Sequence, residues 1–193
     1  DLESTISQIR KLDMIGANIS MPYKQKVFPY LDEVDDMARK IGSVNTIVHR
    51  DGKLKGYNTD GIGFFRSLPP AFSIKGKTMV LLGAGGAALA IIAQAIHLGV
   101  KRILVFVREE RLVHYRSKVQ LLEDAFDFLI ELYAIEKDEE VQNSFHQADL
   151  ILNATGVGMD GHSLPIASHL TFPPQALIVE MAYYPAVTPF LQL

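Results

Sequence analysis

The 193-residue sequence predicts an α/β protein in two parts: a small part built on a β-hairpin, then a parallel sheet covered by helices. Three observations predict it. Asp51-Gly52, a strong tight-turn signal, joins strand-like runs at residues 44–49 and 53–57. Leu68-Pro69-Pro70 then interrupts the pattern. Beyond it, apolar strand-like runs alternate with helical stretches, as right-handed crossovers between parallel strands require.

The elements follow in order. Residues 1–12 read as a helix with Ile6, Ile9 and Leu12 near one face. Residues 15–20 read as a strand that ends before Pro22, and 35–41 as a helix stopped by Gly42. After the hairpin, Asn58 or Thr59 caps a helix over 61–68. The boundary at the prolines gives domains of 1–69 and 70–193. In the second, strands are expected at 78–82, 101–107, 132–135, 149–153 and 176–180, with helices from the glycine-rich turn to 98, over 115–130 and over 139–147. Residues 187–193 read as a helix starting after Pro185. With one helix already under way at Asp1 and another starting at the far end, the sequence reads as part of a longer chain.

Composition narrows the classes of function. Hydrophobic residues make up 48% of the sequence, ample for a core, and the net charge of −3 argues against a general nucleic-acid binder. There is no cysteine, which removes disulfides, thiolate metal sites and cysteine nucleophiles. No apolar run approaches the roughly 18 residues that a membrane-spanning helix needs. A cytoplasmic protein is expected. The histidines at 49, 97, 114, 146, 162 and 169 are scattered, with no carboxylate cluster to suggest a metal.

The segment from Val80 to Ala88 carries Gly83, Gly85 and Ala88 at the three places of a dinucleotide fingerprint, with Ala84, Gly86 and Ala87 between them. The first glycine allows the sharp turn, the second lets backbone approach a pyrophosphate, and the alanine lets helix and strand pack closely. N–H groups at the helix start then face the anion. The motif alone is weak evidence, but here it lies between a strand and a helix, with a second strand about 20 residues on, as a Rossmann unit demands. A glycine-rich turn without a ligand is the plainer alternative. At the end of the second strand stand Val107, Arg108, Glu109 and Glu110. Arg108 favours the 2′-phosphate of NADP, the two acids oppose it, and NAD stays open.

Three polar clusters precede the boundary: residues 16–24, 41–46 and 56–63. Ser20, Lys24, Asn45, Asn58, Thr59 and Asp60 fall in them at strand ends or helix starts, where a scaffold presents groups to a ligand. Each alone reads more readily as a cap, a turn residue or a solvated charge than as a functional group. Together the clusters resemble the shikimate dehydrogenase family, whose members read N-V-T-x-P-x-K, I-G-A-V-N-T and G-x-N-T-D-x-x-G in this order. Asn153-Ala154-Thr155-Gly156-Val157-Gly158-Met159 is similar to the family's N-A-T-x-x-G-M, and residues 180–189 to its D-x-x-Y-N-P-x-x-T-P.

The resemblance implies a Rossmann domain after a substrate domain, with the active site in the cleft between them. It implies reversible reduction of 3-dehydroshikimate to shikimate with NADP, in aromatic amino-acid biosynthesis. Lys24 and Asp60 would be the catalytic pair; Ser20, Asn45 and Tyr183 would contact substrate beside them. Asn58 and Thr59 would line the nicotinamide side, and Asn153, Thr155 and Val157 would lie beside the cofactor. Four positions depart from the pattern: Ser20 for Thr, Ser43 for Ala, Tyr184 for Asn and Glu180 for Asp. The family's N-R-T/S segment is only partly present at 107–109, which keeps NAD and quinate open as cofactor and substrate. Its N-terminal S-x-S strand and its closing glutamine have no counterpart in these residues. A monomer or a homodimer is equally compatible, and a cofactor-binding protein without catalysis is the remaining alternative.

Overall fold

In the computed structural model, which describes Asp1–Leu193, the chain divides between Ser67 and Leu68 into two units, each with its own core. The first opens with α1 (Leu2–Lys11). The Asp1 carboxylate caps it by accepting the Ser4 N–H at 2.7 Å, and Ile6 and Ile9 turn inward. Leu12, expected on the same face, stands past the last helical turn and is exposed.

Four short strands form one sheet: β1 (Gly16–Asn18), β2 (Glu33–Val34), β3 (Thr46–Arg50) and β4 (Lys53–Tyr57), in the order β1-β3-β4-β2. β3 and β4 pair antiparallel across Asp51-Gly52, both with positive φ, as the tightest hairpin turns require. β2, two residues long and parallel to β4, was absent from the sequence-based expectation because two residues show no periodicity. α2 (Asp36–Ile41) begins at a capping Asp35, whose carboxylate accepts the Met37 N–H, and ends at a left-handed Gly42. α3 (Asp60–Ser67) starts one residue earlier than expected, bringing Asp60 into its first turn. Ile6, Ile9, Val27, Ala38, Val44, Ile47 and Leu54 make this unit's core.

The second unit is a five-stranded parallel sheet of β5 (Thr78–Leu82), β6 (Arg102–Val107), β7 (Glu131–Ala134), β8 (Leu150–Asn153) and β9 (Leu177–Glu180). Its order is β7-β6-β5-β8-β9, so the chain runs outward from β5 on one side and returns to β8 on the other. β5, β6 and β8 are almost wholly buried, which explains why they read as unbroken apolar runs and not as alternating ones. α4 (Gly86–His97) buries Ala88, Ala90, Ile91, Ile92, Ala93 and Ala95. α6 (Asp138–His146) contributes Val141 and Phe145 to a core shared with Val80, Leu82, Leu104 and Phe106.

Two expectations for this unit are corrected. The long helix is α5 (Leu112–Phe126), not 115–130. It is preceded by a 3-10 turn at Glu109–Arg111, and it stops at Asp127, which is left-handed with φ 50°. Residues 187–193 do not form an α-helix; Pro189–Gln192 make one 3-10 turn that drives Phe190 into the core.

Candidate active site

In the first unit, the three polar clusters converge on one carboxylate. Asp60 enters at the start of α3, where its N–H donates to Asn58 Oδ1 at 3.1 Å. Asn58 Nδ2 in turn donates to the Ser43 carbonyl at 3.0 Å, so Asn58 braces the start of α3 against the second cluster. Lys24 Nζ donates to Asp60 Oδ2 at 2.7 Å, and Asn45 Nδ2 donates to Asp60 Oδ1 at 2.6 Å. Both carboxylate oxygens therefore face a donor. The lysine and aspartate side chains are each about a quarter exposed, 25% and 26%, so the pair is partly shielded yet open to a ligand. Lys24 is held from its own backbone, whose carbonyl accepts the Val44 N–H at 2.9 Å.

Asn45 is fixed on its other side. Its Oδ1 accepts the Thr59 N–H at 3.0 Å and the Thr46 hydroxyl at 2.9 Å. Thr46, which lies in the second cluster but was given no role of its own, belongs to this network. Ser20 is exposed, and its carbonyl accepts the Tyr23 N–H at the turn that leads to Lys24.

In the second unit, a cavity of about 660 Å³ lies over the carboxyl ends of four strands. Gly83, Ala84 and Gly85 follow β5; Val107 and Arg108 close β6; Ile135 and Glu136 follow β7; Ala154, Thr155, Gly156 and Val157 follow β8. This is the crevice at the topological switch point, where open parallel sheets bind ligands. Gly83 has φ +96°, and a Cβ on it would lie 2.8 Å from Thr155 Cγ2, so only glycine fits the turn. A Cβ at Gly85 or Gly86 would meet nothing within 4 Å; the backbone there faces open space. The first-turn N–H groups of α4 have no intrahelical partners and carry the positive end of the helix dipole. The residues present therefore fit a dinucleotide: a turn that exposes backbone, a helix start for the pyrophosphate, and arginines at the rim.

The rim holds two arginines. Arg108 pairs with Glu110 at 3.1 Å, and both are largely exposed. Arg111, missed in the sequence, joins it in the cavity wall with its guanidinium 5.8 Å from the Tyr115 ring centroid. The 3-10 turn at Glu109–Arg111 brings the two arginines together, since residues three apart lie on one side of such a turn. Glu109 and Glu110, expected to oppose a phosphate, do not line the cavity. Glu136 does, and its carboxylate accepts the Glu109 N–H at 3.0 Å.

The other expected residues fall as follows. Thr155 and Val157 line the cavity, and Ala87 lies in the first turn of α4. Asn153 does not line it; it is fully buried, with its side chain hydrogen-bonded to protein at both ends. Tyr183 belongs to the second unit and is 89% exposed.

A parallel sheet of this order, with a glycine turn at its switch point and arginines beside it, defines a nucleotide-binding α/β protein of Rossmann type. The model of the shikimate dehydrogenase substrate binding domain matches residues 1–47. The chain is 50% identical over 193 residues to the shikimate dehydrogenase (NADP(+)) of Streptococcus gordonii, a match covering 100% of this chain and 67% of that protein. The solved structure of shikimate 5-dehydrogenase from Listeria monocytogenes, in complex with shikimate and NAD, is similar with a TM-score of 0.90 at 35% identity, over 99% of this chain and 68% of that one. Quinate dehydrogenase from Corynebacterium glutamicum, in complex with NAD, has a TM-score of 0.84 at 28% identity, over 100% of this chain and 67% of that one. The chain belongs to the shikimate dehydrogenase family.

Proposed function

We propose that the protein catalyses the reversible NADPH-dependent reduction of 3-dehydroshikimate to shikimate, in the cytoplasm. One observation carries the reading beyond family membership: Lys24, Asn45 and Asp60, from three separate clusters, meet in one hydrogen-bonded group. When bound, NADPH supplies the hydride.

The protein's own residues do the rest. Reducing a ketone builds negative charge on its oxygen, and the Lys24 ammonium stabilises that charge and delivers the proton. Asp60 keeps Lys24 oriented through Oδ2 and offers a lone pair to a substrate hydroxyl. Asn45 prevents Asp60 from turning away, since its amide holds Oδ1 while Thr59 and Thr46 hold Asn45. Ser20, Asn45 and Tyr183 supply hydroxyl and amide contacts suited to a polyol acid. The turn from Gly83 to Ala87 receives the pyrophosphate, and Thr155 and Val157 flank the cofactor. Asn58 and Thr59 are assigned to the nicotinamide side on the family resemblance, with Asn58 also acting through Asp60.

NADP is favoured over NAD because Arg108 and Arg111 both line the cavity while Glu109 and Glu110 do not. Initial rates with shikimate or quinate, each with NADP or NAD, test the whole assignment. The expected order puts shikimate with NADP first. Quinate with NAD as the fastest pair would overturn the choice of both.

A further inference from the structure

Two buried polar side chains, Asn153 and Thr188, converge on a single carboxylate. Glu180 Oε2 accepts from Asn153 Nδ2 at 2.8 Å and from the Thr188 hydroxyl at 3.0 Å, and its Oε1 accepts the Ala182 N–H at 2.9 Å. Asn153 and Glu180 close neighbouring strands, β8 and β9, and sit opposite each other in register. The far side of Asn153 reaches the cavity wall. Its Oδ1 accepts both the N–H and the hydroxyl of Thr155, at 3.1 and 2.7 Å, and its Nδ2 also donates to the Val157 carbonyl at 3.2 Å. Thr155 Oγ1 then accepts the Val157 N–H at 3.1 Å.

One carboxylate is thus tied in two directions. Through Asn153 it holds the turn at 154–157, which lines the cavity. Through Ala182 and Thr188 it holds the segment that carries Tyr183. An ionised carboxylate accepts only, so three donors can point at it without conflict, and bonds to a charged acceptor are the stronger kind. A neutral amide in its place would turn an N–H toward at least one of those donors.

We propose that Glu180 is a positioning residue that sets the cofactor-side turn at 154–157 and the Tyr183 segment in one fixed relation. The proposal rests on the dinucleotide reading of the cavity. It predicts that losing the charge loosens both segments at once, although Glu180 itself does not line the cavity.

The test compares wild type with Glu180→Gln and, in case that variant does not fold, with Thr188→Val. Three quantities are measured: NADPH affinity by fluorescence titration, amide hydrogen exchange at Thr155, Val157 and Ala182, and the melting temperature. The expected result for Glu180→Gln is a Kd for NADPH raised about tenfold, the effect of weakening one charge-assisted bond. Exchange at all three amides rises with it, and Thr188→Val moves in the same direction by less. A lower melting temperature with wild-type affinity and wild-type exchange at Thr155 and Val157 would overturn the proposal, leaving Glu180 a purely structural residue. Wild-type protein that binds no NADPH would instead refute the cavity reading, and this proposal with it.

Discussion

Gly83→Ala probes the cavity at its most constrained point. Two costs arise from the geometry. Alanine at φ +96° is strained by about 1–2 kcal/mol, since a Cβ is disfavoured in left-handed backbone. The new Cβ also falls 2.8 Å from Thr155 Cγ2 and 3.2 Å from the Ala154 carbonyl oxygen, so the wall must move. Moving Thr155 disturbs its bonds to Asn153 Oδ1 and from Val157 N–H, each worth about 1 kcal/mol. At the lower strain figure the combined loss is about 3 kcal/mol, divided between stability and cofactor binding. Borne by binding alone, it would weaken NADPH by about 100-fold, since 1.4 kcal/mol is a factor of ten. Borne by stability alone, it would lower the melting temperature by about 6–12 °C. The assay is a fluorescence titration with NADPH beside a thermal melt. Thr155→Ser added to the same variant removes Cγ2 and keeps Oγ1, so it should restore part of the loss, leaving the φ strain. A Gly83→Ala protein with wild-type affinity and melting temperature, or no recovery in the double variant, would show that the turn tolerates a Cβ without moving Thr155.

Two other outcomes follow from the second unit. Arg111→Ala should weaken NADP about tenfold through the loss of one charge-assisted contact, with little effect on NAD; equal losses for both cofactors, measured by titration, would argue against a 2′-phosphate contact. Glu131 is held below the ordinary carboxylate range chiefly by its hydrogen bond from Arg102, with the Tyr133 hydroxyl adding to it. A lowered folded pKa means this contribution is complete above the unfolded value and is lost as pH falls through the folded one. Glu131→Gln should therefore lower the melting temperature by a few degrees at pH 7, about 1 kcal/mol for a partly exposed pair, and the gap should close under acid conditions.

Much of the second unit was legible because its chemistry is local. Thr78–Leu82 could be read directly, since a strand buried on both faces shows a continuous apolar run bounded by glycine. In the first unit, Gly42 marked the end of α2 for a similarly local reason, its lack of a side chain, whereas Asp35, read as the first helical residue, is the cap before it. α5 was misplaced for the opposite reason. Arg111 precedes it without a side-chain cap, Val113 and Leu121 are exposed apolar residues, and it ends on Asp127 where a glycine would have announced the stop.

The candidate site divides the same way. Lys24, Asn45, Thr59 and Asp60 stood out as polar residues in clusters, but the meeting of Lys24 and Asn45 on the Asp60 carboxylate, with Thr59 holding Asn45, depends on the arrangement of strands and helix. Asn153 and Asn58 were expected to contact the cofactor, and their side chains instead brace neighbouring backbone and side chains, which depends on pairings far apart in the sequence. Arg111 was hidden because nothing in the sequence marks Glu109–Arg111 as a 3-10 turn.

In the proposed reaction Lys24, held by Asp60, supplies charge and proton to a ketone reduced by NADPH. NADPH oxidation with 3-dehydroshikimate, followed at 340 nm for wild type and Lys24→Ala, tests it most directly. Rapid turnover by wild type is the expected result. For the variant the expected loss is about 10²- to 10⁴-fold in kcat, the range for removing a positioned acid, with NADPH affinity unchanged. Turnover at the wild-type rate without Lys24 would contradict that role.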